Sequence, residues 1–97
     1  QYPKTLARYA EIGRSVGLTG KNDAEVFEKL LAKLDDLMRT IEIMPTIRDY
    51  GVDEKYFLDT LDDMTEQAFN DQCTGANPRY PLMSEMKEIY LKCYYGK

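Results

Sequence analysis

Apolar positions recur every three or four residues from the start of the chain. Leu6, Tyr9, Ala10, Gly13 and Val16 share one side of a helix. Pro3 suits the first turn of that helix, where its missing N–H is not needed, and Gly17 suits its stop. The strongest periodic signal follows in "GKNDAEVFEKLLAKLDDLMRTIEIMP". There Val26, Phe27, Leu30, Leu31, Leu34, Leu37, Met38 and Ile41 form one continuous stripe, of which Leu30, Leu34, Leu37 and Ile41 are expected to be buried. A partner-binding face is the rarer alternative for such a stripe. Asn22 can cap this helix with Glu25 as the reciprocal partner, and Pro45 is expected to end it.

"TIRDYG" reads as a short helical turn with Thr46 as cap and Gly51 as the left-handed stop. Asp53 then opens a helix on which Phe57, Leu58, Leu61, Met64 and Ala68 share a face. A last helix begins at Ser84, with Met86, Ile89, Tyr90 and Cys93 predicted inward and Gly96 near its end. No alternating run is long enough for a strand. The pattern therefore predicts an all-α fold.

Length bounds what such helices can build. A chain of 97 residues makes one domain at most, burying roughly 65% of its unfolded surface. Residues 1–97 are accordingly read as a single helical segment. The net charge of −4, with no Lys/Arg cluster, argues against nucleic acid and against an anionic membrane surface. No apolar run approaches the ~20 residues of a membrane span, and "QYPKTLARYAE" lacks the cationic start and apolar middle of a signal peptide. A cytoplasmic location is expected, with Cys73 and Cys93 as reduced thiols. The absent Met start and the first residue Gln are read as signs of a piece of something longer.

Histidine is absent, which removes the commonest general base near neutral pH and the commonest transition-metal ligand. A Ser-His or Cys-His nucleophile cannot be built from this chain alone. The pairs Asp35-Asp36 and Asp62-Asp63 lack the alternating pattern of a calcium loop and read as solvated helix faces. No catalytic, cofactor-binding or metal-binding residue is therefore assigned.

One stretch, "DQCTGANPRYP" (residues 71–81), fits neither a helix nor an ordinary turn. Gly75 can take a positive φ, and Asn77 before Pro78 is pushed to an extended conformation, so a rigid, folded excursion is predicted. It lacks the phosphate-loop pattern. On the residues alone, a structural connection and a functional loop both stay open. Arg79 is expected to pair with a carboxylate or to cap a helix C-terminus.

"DQCTGANPRYPLMSEMKEIYLKCYYG" closely resembles part of the alcohol dehydrogenase half of the bifunctional aldehyde–alcohol dehydrogenases, within the iron-dependent (group III) alcohol dehydrogenase family. The family's loop has the form D-x-C-T-x-x-N-P-R, met here at Asp71, Cys73, Thr74, Asn77, Pro78 and Arg79. "RYAEIGRSVGL" and "IRDYGVDEKYFLDTLDDMTEQAFNDQ" resemble the same helical domain in the same order, so the likeness covers essentially the whole chain.

The resemblance implies the C-terminal part of a helical domain like that of dehydroquinate synthase, beside an α/β domain for NAD. It implies iron held by one Asp and three His outside this chain, so that the segment alone binds neither Fe²⁺ nor NAD and is inactive. The parent enzyme would reduce acetaldehyde to ethanol in fermentation. Its partners would be the remainder of that enzyme, a small aldehyde or alcohol, and copies of itself in a homo-oligomer or filament. Cys73, Thr74, Gly75, Asn77 and Pro78 would then form a substrate-pocket loop, with Cys73 a small wall residue. An independent helical interaction module without catalytic activity is the alternative.

Overall fold

A computed structural model describes residues 3–96. Four α-helices follow one another: α1 Pro3–Ser15, α2 Asp23–Thr40, α3 Glu54–Asn70 and α4 Met83–Tyr95, with one 3-10 turn at Thr74–Ala76 between the last two. No strand occurs among the described residues. The expected all-α fold is thus present, arranged as two compact units, Gln1–Ile43 and Met44–Lys97.

In the first unit α1 packs against α2. Ala10, Gly13, Val26 and Leu30 are buried there. Gly13 is a contact residue because it has no side chain: a Cβ on it would sit 2.8 Å from Val26 Cγ1. After α1 the Gly17 amide donates to Arg14 O and the Leu18 amide to Gly13 O, with Gly17 at φ +86°. This is the hydrogen-bond pattern of a Schellman stop, in which glycine takes the left-handed position.

Asn22 caps α2 as expected, its Oδ1 accepting the Glu25 amide at 2.9 Å. The reciprocal bond reaches one residue further than the capping-box rule predicts, since Glu25 Oε2 accepts the amide of Lys21 at 3.0 Å. That amide first, and then the Lys29 ammonium, hold the Glu25 carboxyl below its ordinary range.

Two expectations for α2 are corrected. Pro45 does not end it, because the helix stops at Thr40. Another Schellman pair closes it, Glu42 N–H to Arg39 O and Ile43 N–H to Met38 O, with Glu42 in the left-handed region at φ 60°. Burial along the stripe is also only partial. Leu30 is buried, whereas Leu34, Leu37 and Ile41 are 48%, 54% and 56% exposed. The physical reason is where the helices meet: Gly13 faces Val26 and Arg14 pairs with Asp23 at the N-terminal end of α2, so the stripe is covered there and left open toward Ile41.

In the second unit Thr46 accepts the Asp49 amide, and Gly51 turns the chain at φ +92°, as "TIRDYG" predicts. Asp53 caps α3 through the Tyr56 amide at 3.0 Å. The core is Phe57, Leu61 and Tyr94, bordered by Ile47, Val52, Met64, Tyr90, Leu91 and Tyr95. The Phe57 and Tyr94 rings stack 4.3 Å apart at 17°. The Tyr94 hydroxyl donates to Val52 O at 2.8 Å, so a buried aromatic keeps its polar end satisfied. Burial, and then the Glu54 charge, push its phenol up, keeping it a donor.

The inward face of α4 is therefore Tyr90, as predicted, together with Leu91 and Tyr94, while the predicted Met86 is half-buried. Ile89 and Cys93 are exposed. On α3, Phe57 and Leu61 are buried as expected while Leu58 is exposed.

Candidate functional site

The stretch 71–81 leaves α3, makes a single 3-10 turn and enters α4. Its first half is tied to the end of α3. Asp71 Oδ1 accepts the Cys73 amide at 2.7 Å, and the Thr74 amide donates to Asp71 O at 3.1 Å. Thr74 Oγ1 reaches back to Ala68 O at 2.5 Å, reinforcing a last-turn carbonyl that otherwise accepts only the Asp71 amide at 3.4 Å. The turn closes with the Asn77 amide on Thr74 O.

The second half is tied to α4. Asn77 is extended at φ −65° and ψ 134°, the conformation required of a residue before proline. Its Nδ2 donates to Arg79 O. The Arg79 guanidinium pairs with the Glu85 carboxylate, fulfilling the expectation of a carboxylate partner. Glu85 Oε2 also accepts the Leu82 amide at 2.9 Å, which completes the first turn of α4. Leu82 has no polar side-chain atom to return the bond, so this capping box is one-sided. The Leu82 amide first, and Arg79 second, hold the Glu85 carboxyl below its ordinary range. Tyr80 closes the loop from the side, its ring edge-on to Phe69 with centroids 5.7 Å apart.

The predicted rigid excursion is therefore real, but glycine is not what braces it. Gly75 does not adopt a positive φ, and a Cβ on it would meet nothing within 4 Å. The bracing comes from Asp71, Thr74, Asn77, Arg79 and Glu85. Asp71 and Glu85 were not singled out from sequence as structural groups. Their signals were an acidic residue two before the amide it accepts, and an acidic residue at the third position of a helix.

Of the five loop residues named from sequence, Cys73, Gly75, Asn77 and Pro78 are exposed and Thr74 is half-buried. Thr74 lines a shallow depression with Met64, Gln67, Ala68, Asp71 and Tyr90; Cys73 is not among its lining residues. Cys73 and Cys93 are both free thiols, as expected. Among the described residues no three His, Cys, Asp or Glu side chains lie together as a metal site would require. None of the described helices is long and apolar enough to cross a membrane.

A loop of this sequence, held between two helices of an all-α segment, places the chain in a family. Residues 1–94 match the model of the Fe-containing alcohol dehydrogenase family, C-terminal. The chain belongs to that family. It is 50% identical over 97 residues to the bifunctional aldehyde-alcohol dehydrogenase of Escherichia coli (strain K12), covering 98% of this chain and 11% of that protein. It is 45% identical over 94 residues to an aldehyde-alcohol dehydrogenase of Clostridium acetobutylicum, covering 97% of this chain and 11% of that one. It is also 36% identical over 92 residues to an NADPH-dependent butanol dehydrogenase of Clostridium saccharobutylicum, covering 95% of this chain and 24% of the relative. The chain thus spans about a tenth to a quarter of the length of these relatives.

The residues present do not fit the family's metal. Iron in such proteins calls for imidazole or clustered carboxylate donors. This chain has no histidine, and its described carboxylates do not cluster.

Proposed function

We propose that this segment is a helical, cleft-forming part of an iron-containing, NAD-dependent alcohol dehydrogenase that reduces acetaldehyde to ethanol in the cytoplasm, as one half of a bifunctional enzyme. Iron and nucleotide belong to other parts of the enzyme, and the segment alone is inactive. The names of its relatives support the reaction class.

One observation carries the reading. The loop bearing the family motif is fixed at both ends, yet its side chains Cys73 and Pro78 remain exposed and outside the bracing. A cleft wall needs this combination: backbone that does not swing, and side chains free to meet a ligand. Cys73 then acts through its shape and not as a nucleophile.

Site-resolved thiol alkylation of the full-length enzyme tests the proposal. Iodoacetamide labelling of Cys73 should slow several-fold when aldehyde and nicotinamide cofactor are both present, while Cys93 serves as the reference. Equal rates at Cys73 with and without ligands would contradict it.

A second reading rests on the exposed half of the α2 stripe, Leu34, Leu37 and Ile41. It makes the segment an assembly surface for a homo-oligomer or filament. Leu34→Glu in the full-length enzyme decides between them: dissociation of a folded oligomer, seen by sedimentation, supports the second reading, and an unchanged oligomer rejects it.

A further inference from the structure

Glu85 serves two neighbours with its two oxygens. Oε2 accepts the Leu82 amide at 2.9 Å, and Oε1 takes the Arg79 guanidinium. Arg79 is in turn tied to the loop, because its carbonyl accepts Asn77 Nδ2. The side chains are partly exposed, 60% for Arg79 and 31% for Glu85. An ion pair this open adds little to folding stability. A small misplacement of a ligand-facing group, by contrast, can cost up to about a hundredfold in rate. The pair can therefore bias where the loop stands by a few-fold, an effect that shows in ligand binding before it shows in folding stability.

We propose that Glu85 is a positioning residue for substrate selection: through Arg79 and Asn77 it fixes residues 77–82 against the first turn of α4, and so sets where Cys73–Pro78 stand relative to the aldehyde. This rests on the reading of the loop as cleft wall and deepens it. Glu85 touches no substrate and acts through the loop. Its carboxyl, held low by the Leu82 amide and then by Arg79, stays charged across the neutral range, so the clasp does not open there.

Three variants of the full-length dehydrogenase test it: Glu85→Gln, Arg79→Ala and the double variant. Glutamine keeps an oxygen for the Leu82 amide but loses the charge that draws Arg79. Arg79→Ala leaves the α4 cap untouched, so it remains informative even if Glu85→Gln folds poorly. Each single variant should raise KM for acetaldehyde about two- to fivefold, with KM for the nicotinamide cofactor and the thermal midpoint unchanged. The double variant should be no worse than either single one, because both remove the same link. Additive losses, a cofactor KM that moves in step, or an unmoved aldehyde KM would overturn the proposal. Ligand protection of Cys73 from alkylation in the unmutated enzyme keeps the two ideas apart. Absent protection sinks the wall itself, whereas intact protection with unmoved KM in both single variants sinks only the clasp.

Discussion

The unit Gln1–Ile43 buries small residues, Ala10, Gly13 and Val26 with Leu30, whereas Met44–Lys97 buries the stacked rings of Phe57 and Tyr94 with Leu61. The first depends on close approach of two helices, and the second on aromatic area with a satisfied hydroxyl. The difference is one of side-chain size and of where the burial falls. The second unit closes a core around Tyr94 at 1% exposure, while the first leaves half of its strongest apolar stripe in the open. The family loop springs from the unit with the aromatic core.

Substitution at each core breaks the contrast in a different way. The largest effect is expected for Tyr94→Ala, which removes the stacked ring and the bond to Val52 O and should cost ~3–5 kcal/mol in urea unfolding followed by helix circular dichroism. Gly13→Ala comes next. Overpacking against Val26 should cost about 1–3 kcal/mol, offset by up to about 1 kcal/mol of helix propensity, leaving a net loss near ~1–2 kcal/mol. A neutral Gly13→Ala would show that the α1–α2 approach is looser than described.

Leu34→Ala sharpens the comparison because its effect should depend on context. In the 97-residue chain the loss should stay below ~1 kcal/mol, and in the full-length enzyme it should rise to ~2–5 kcal/mol if the stripe is covered there. The smallest effect is in the pH dependence. Glu25 has a folded pKa below its ordinary 4.5, so its stabilisation is present above that value and is lost as pH falls through the lower folded value. Glu25→Gln should make the acid loss of stability below pH 4.5 shallower. An unchanged acid limb would show that the Lys21 bond is immaterial.

Helix number, order and starts were legible because caps and periodicity are local: Asn22 and Asp53 act where their residue types imply. Ends are legible where glycine marks them, and at Asn70 where the non-helical stretch begins. Gly17 and Glu42 occupy equivalent positions in two Schellman stops, yet only the glycine advertises a left-handed backbone, so the pattern points to Pro45 as the end of α2 instead. The face of α4 is only partly legible, Tyr90 but not Tyr94, because apolar residues lie on several of its sides, and contacts distant in sequence, Tyr94 with Phe57 and Val52, select one. Within the loop, the Asn-Pro geometry followed from local sterics. The double use of Glu85 did not, since it needs the register between Arg79 and α4.

The claim that residues 73–78 line the substrate cleft is tested most directly by aldehyde selectivity in the full-length enzyme. Cys73→Leu, with iron content and thermal unfolding shown to be normal, should lower kcat/KM for butanal more than for acetaldehyde by ~1–3 kcal/mol in transition-state binding. Pro78→Ala, which loosens the loop as a whole, should weaken both alike. Equal losses on both aldehydes for Cys73→Leu would contradict the account and leave the loop a structural connection.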